Sequence, residues 1–166
     1  MRRAVFSILA DNNSGVLSRV AGLFSRRGYN IDSITAGETN IEGLSRLTIT
    51  ASGDDDVLEQ IEKQLAKLED VIDIKKLQDG ESVCRELILV KIKINDTQRQ
   101  AVLSVANIFR AKIVDVSNDS MVIELTGGQS KLDAFLDLLR GYDILELART
   151  GITGLSRGSS NVTIID

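Results

Sequence analysis

The sequence has no histidine, no proline and no tryptophan, and one cysteine in 166 residues. Without histidine there is no Ser-His or Cys-His nucleophile pair, and one cysteine allows neither an internal disulfide nor a Cys/His zinc site. Catalysis by this chain would rest on carboxylates, lysines or a borrowed cofactor. No P-loop and no GxGxxG is present to cradle phosphates. Aromatic residues make up 4% of the chain, and no exposed pair marks a strand, which removes the stacking platform of an RNA-binding sheet. No apolar run reaches the roughly 18 residues of a membrane span. The N-terminus enters strand-like alternation at once instead of the apolar core of a signal peptide, so a cytoplasmic location is expected. Net charge is -4, with Lys and Arg scattered among Asp and Glu, so nucleic acid is not an expected partner. Cys84, near the start of an apolar strand, is expected to be a small core residue.

Hydrophobic residues make up 43% of the chain, enough for a core, and their periodicity alternates between two and about 3.6. Residues 3–10 alternate as a strand, with Ala4, Phe6 and Ile8 on one face and Val5, Ser7 and Leu9 on the other. Residues 16–27 predict a helix with Leu17, Val20, Ala21 and Phe24 on its apolar face, stopped by Gly28. Two strands follow, Asn30 to Gly37 and Leu44 to Ala51, around a polar turn. A helix from Asp55 to Leu68 carries Leu58, Ile61, Leu65 and Leu68, and Val71 to Lys76 closes the unit as a strand. Lys63, Lys67 and Asp54 to Asp56 read as a solvated helix face, and Glu69-Asp70 has no acid-base partner that spacing identifies.

After a turn at Asp79-Gly80 the same order begins again with Ile88, Val90, Ile92 and Ile94. A helix over Asp96 to Arg110 presents Val102, Val105, Ala106 and Phe109. A hairpin, Lys112 to Val116 and Met121 to Leu125, precedes a helix bearing Leu132, Phe135, Leu136 and Leu139, and a strand at Ile144 to Ala148. Each half fits the βαββαβ plan of an antiparallel sheet covered on one face by two helices. The expected fold is therefore α+β, two tandem ferredoxin-like domains over residues 1–77 and 84–166. The tail from Thr150, rich in Gly and Ser, is expected to be loosely ordered in isolation.

The most specific local signal is Asp11-Asn12-Asn13-Ser14-Gly15, between a buried strand and a helix start. Ser14 is a natural N-cap, and the exposed N–H groups of a helix start attract an anion at about 0.3–1 kcal/mol per contact. Asn12 and Asn13 add donors and acceptors, and Asp11 a charge, which together suit an amino acid. These are also the default capping and turn residues, so the loop alone leaves both readings open. Asn30 opens the second strand, an edge in the usual 4-1-3-2 order. Antiparallel pairing of two such edges would carry Asn30 of one chain to the first loop of another; an asparagine that merely opens a strand fits as well. The second half's corresponding loop, Asn95 to Gln98, lacks the glycine, so its ligand need not be the same.

Several stretches together resemble the small regulatory subunits of acetohydroxyacid synthase, also called acetolactate synthase. They are "SGVLSRVAGLFSRRGYNIDSI" at 14–34, "LSRLTIT" at 44–50, "LEQIEKQLAKLEDVI" at 58–72, "ELILVKI" at 86–92 and "GLSRG" at 154–158. The resemblance implies an N-terminal ACT domain that binds an amino-acid effector, a C-terminal domain of related fold, and a homodimer formed through the ACT domain. It implies a non-catalytic chain that activates a separate large catalytic subunit and confers feedback inhibition by valine or another branched-chain amino acid, in the biosynthesis of valine, leucine and isoleucine. Thiamine diphosphate, FAD and magnesium are then expected on the large subunit, with no cofactor in this chain. Effector contacts carried over from the family fall on Asn12, Gly15 and Asn30, with Asn13, Ser14 and Asp11 beside them. Asp11 stands where the family commonly has glutamate. The alternative is an ACT-type sensor serving another enzyme or a transcription factor. An acylphosphatase-type enzyme of the same fold would need an arginine in the first loop, and Asp11 to Gly15 has none.

Overall fold

Strand β1, Arg2–Asp11, buries Ala4, Phe6, Ile8 and Ala10 in one core while the residues between them face the other way. The structure is a computed structural model and describes residues 1–164. Helix α1, Val16–Arg27, follows β1 and ends at Gly28, whose φ of 68° is left-handed, so that the N–H of Tyr29 closes on the Phe24 carbonyl at 3.0 Å. Then come β2 (Ile31–Glu38), β3 (Leu44–Gly53), α2 (Asp55–Ala66) and β4 (Val71–Leu77). They form an antiparallel sheet of order β2-β3-β1-β4, so β2 is an edge, as the usual strand order of such a domain predicts. The second half repeats this with β5 (Ser82–Lys93), α3 (Asp96–Ile108), β6 (Lys112–Val116), β7 (Ser120–Gly127), α4 (Gln129–Leu138) and β8 (Asp143–Arg149). Its path is β6-β7-β5-β8, with a short strand β9, Thr153–Ser156, pairing with β5. The expected α+β class with two βαββαβ halves is the fold observed. No described helix is long and apolar enough to cross a membrane.

Each half has its own core. In the first, Phe6, Ile8, Ile49 and Phe24 meet Leu58, Ile61 and Leu65 of α2. In the second, Ile88, Val90 and Ile92 meet Val102, Leu132 and Phe135. Full burial of such a side chain contributes about 1.5–3 kcal/mol, so these stripes fix which helix face turns inward. The inward face of α1 is rotated from the expected one. Val16, Val20, Leu23 and Phe24 are buried, whereas Leu17 is 50% exposed and Ala21 lies at the surface. Both sets satisfy helical spacing, and contact with the sheet selects between them. Cys84 is half-buried in β5 rather than part of the core.

The tail departs most from expectation. The chain divides into a unit of Met1–Val83 together with residues 152–164, and a second unit of Cys84–Gly151. The boundary expected for the second domain, 84–166, thus falls at Gly151, and the last two residues of that range lie outside the described residues. From Ile152 the chain returns to the first sheet on the face opposite its helices. Thr35 Oγ1 donates to the Ile152 carbonyl, Ile152 is buried, and β9 lies against β1, β3 and β4. Further on, the Arg157 N–H donates to Glu81 at 2.8 Å and the Thr163 hydroxyl to Asp73. Ser7, Thr48 and Thr50 are buried on this face, and the hydroxyls of Ser33, Thr48 and Thr50 have no partner among the described residues. A Gly/Ser-rich composition predicts looseness only where nothing covers the segment; here a ready-made sheet face does.

Candidate functional site

The loop between β1 and α1 is tied at three places. The Asp11 N–H donates to the Asp70 carbonyl at 2.9 Å, the Asn12 N–H to the Gly43 carbonyl at 2.8 Å, and the Asn13 N–H to the Asp11 carbonyl at 3.0 Å. Its side chains remain at the surface: Asp11, Asn12, Asn13 and Ser14 are exposed, and Gly15 is half-buried. Ser14 does not cap α1. The N-cap is Gly15, without a side-chain cap, and Asn13 Oδ1 takes the capping part by accepting the Gly15 N–H at 3.0 Å. The N–H groups of Leu17 and Ser18 find no acceptor among the described residues. Two unpaired donors at the positive end of a helix dipole leave room for an anion.

Two residues that sequence spacing passed over organise this loop. The Arg19 guanidinium is ion-paired through Nε to Asp70 Oδ2 and donates through Nη2 to Asn13 Oδ1 at 2.8 Å. Asn13 Nδ2 in turn donates to Asp70 Oδ1 at 2.9 Å. Asn13, Arg19 and Asp70 therefore form a closed ring beside the helix start. Arg19, and after it Asn13, holds the Asp70 carboxyl below the usual carboxylate range, because both stabilise the charged form. Asp70 immediately precedes β4, which pairs with β1, so the strand order is the signal that could have found it.

Asn12 reaches Glu38 at the end of β2, Nδ2 to Oε1 at 3.4 Å. Asn30 does not join the group within one chain. Ile31 pairs with Ala51 and Ala51 with Ala4, near the start of β1, whereas the loop leaves β1 at Asp11, opposite Leu44. The register separates the two by about 23 Å at roughly 3.3 Å per residue. Asn30 is exposed and donates to Asp32 at 3.1 Å.

The corresponding place in the second unit is built differently. Asn95 accepts the Gln98 N–H at 2.9 Å while Gln98 Oε1 accepts the Asn95 N–H at 3.0 Å, a reciprocal capping box. A cleft of about 520 Å³ opens there beside Lys93, Asp96, Asp119 and Asp143. With its helix start capped and its lining acidic, it does not repeat the first loop's chemistry.

Comparison with known proteins covers both halves. A family model described as the AHAS small subunit-like ACT domain matches residues 6–73, and one described as the small subunit of acetolactate synthase matches residues 85–158. The probable acetolactate synthase small subunit of Methanothermobacter thermautotrophicus is 53% identical over 156 residues, 93% of each chain. The acetolactate synthase isozyme 3 small subunit of Escherichia coli is 50% identical over 157 residues, 94% of this chain and 96% of the relative. The crystal structure of the acetolactate synthase small subunit from Thermotoga maritima superposes with a TM-score of 0.86 at 43% identity, covering 96% of this chain and 99% of that one.

Proposed function

This chain belongs to the acetolactate synthase small-subunit family, and from that premise we propose that its first loop is the effector site through which a branched-chain amino acid, valine first, inhibits the catalytic large subunit. The family fixes the regulatory role and a large-subunit partner. Matches over both halves favour it above an ACT-type sensor serving some other enzyme or a transcription factor. Beyond that, the chain is a non-catalytic subunit, and thiamine diphosphate, FAD and magnesium belong to the large subunit.

The observation that carries the effector reading is the exposed start of α1, where the Leu17 and Ser18 N–H groups are unpaired and Asn12 and Asn13 stand beside them. A carboxylate suits those donors, and an ammonium suits Asp11 or an amide oxygen. Asn30 enters through a homodimer. If two β2 edges pair antiparallel about their midpoints, residue 31 of one chain falls opposite residue 38 of the other, and Glu38 is the residue that Asn12 already touches. Asn30 of the partner then completes the site. Inhibition requires valine to bind the inhibited packing of the two subunits more tightly than the active one, and couplings of about 1–3 kcal/mol are typical.

Calorimetric titration of the full chain with valine, leucine, isoleucine and alanine tests the reading. Valine is expected to bind saturably, and leucine and isoleucine partially, because one methylene in an apolar pocket discriminates by only about 1–3 kcal/mol. Valine at 100 times its Kd should raise stability by about 2.7 kcal/mol. Absence of binding both to the chain and to its complex with the large subunit would overturn it.

A further inference from the structure

We propose that Arg19 and Asp70 are positioning residues of the effector loop, and that residue 15 is glycine to leave the Arg19 guanidinium its path; the proposal takes the loop's effector role from the reading above. The backbone does not ask for glycine here. Gly15 has φ -91° and ψ -11°, a conformation open to other residues. Space does ask for it. A Cβ on residue 15 would stand 2.4 Å from Arg19 Nη1, 2.7 Å from Nη2 and 2.8 Å from Cζ, and those are its three nearest neighbours. All three belong to the far end of a flexible side chain, so a methyl group leaves the fold intact and displaces the guanidinium.

The displacement opens the ring. Arg19 leaves both Asp70 and Asn13 Oδ1, and Asn13 Oδ1 is the atom that also holds the Gly15 N–H. Asn12 and the free N–H groups of Leu17 and Ser18 then lose their fixed spacing, and ordering them again subtracts from ligand affinity. Neither Arg19 nor Asp70 needs to touch the effector. A glycine kept for direct ligand approach predicts something different, since an added methyl would then obstruct the ligand whatever residue stands at 19.

The experiment is a double-mutant cycle on the full chain, with Gly15→Ala, Arg19→Ala and the two together. The first readout needs no effector: an NMR titration of the Asp70 side-chain carboxyl. Gly15→Ala and Arg19→Ala are both expected to move its midpoint upward, and the double variant to match Arg19→Ala alone. The second readout is valine affinity by calorimetry, where each single variant should lose roughly tenfold, about one charge-assisted hydrogen bond, with no further loss in the double variant. Arg19→Lys should recover part of the Asp70 shift without the fork to Asn13. An Asp70 midpoint unmoved by Gly15→Ala overturns the proposal, as does a Gly15→Ala loss of valine affinity undiminished in the Arg19→Ala background. If the wild-type chain binds no branched-chain amino acid, the effector reading fails, while the carboxyl titration still decides whether Gly15 serves Arg19.

Discussion

Asn13 and Asp70, 57 residues apart in sequence, are joined by a 2.9 Å hydrogen bond from amide to carboxylate. The bond fastens the loop that opens α1 to the strand that closes the same domain, and Arg19 adds a charge to it. Stability at low pH should therefore depend on Asp70. Its folded-state carboxyl titrates below the unfolded one, so the stabilisation is complete above the ordinary aspartate range, about pH 4, and is lost as pH falls through the lowered value. Calorimetry should show Tm falling over that interval in the wild type, with a smaller change in Asp70→Asn. With no histidine in the chain, Tm should be nearly flat between about pH 5 and 8.

Asn12 and Asn30 lie too far apart to share a site within one chain, and this allows a test by complementation. Asn12→Ala and Asn30→Ala homodimers should each bind valine weakly. In a mixed dimer of the two, one site collects both substitutions and the other recovers both asparagines. Calorimetry on the tagged and purified heterodimer should find one tight site per dimer. Two weak sites would place Asn30 outside the effector site.

The two helix starts should differ in how much the loss of a polar side chain costs them. Asn95→Ala removes the side-chain acceptor of the Gln98 N–H, one half of a capping box, and should cost about 1 kcal/mol in urea unfolding. Ser14→Ala removes a side chain that caps nothing and should fall within about 0.5 kcal/mol of wild type.

The tail's seat should be measurable. Ile152→Asp sets a charge at a buried apolar position against the first sheet, and should destabilise the chain by about 2 kcal/mol or more. Trypsin cleavage after Arg157, whose N–H is bound to Glu81, should quicken with it. Unchanged cleavage would mean that the tail is held elsewhere.

Period alone made most of the fold legible. Phe6 and Ile8, Leu58 and Leu65, and Val102 and Leu132 announce their faces because a strand repeats every two residues and a helix every 3.6. Features set by distant partners were not legible. Val16 and Leu23 displace Leu17 and Ala21 from the inward face because the sheet decides the helix rotation. Ser14 fits a cap by type, but Asn13 is fixed by Asp70 and Arg19 and takes the Gly15 N–H first. The loop residues 11–15 stand together as expected, while the ring that orders them spans 57 residues and no local spacing contains it.

The return of Ile152 to the first sheet also sets a timetable on the ribosome. All four strands and both helices of the first domain are translated before Cys84, yet β9 follows only after the whole of Cys84–Gly151. At roughly 5–20 residues per second the nascent first domain waits several seconds with the Ser7, Thr48 and Thr50 face wet. During that interval the face is open to chaperones or to another nascent chain, and the domain that begins first is the last to be finished.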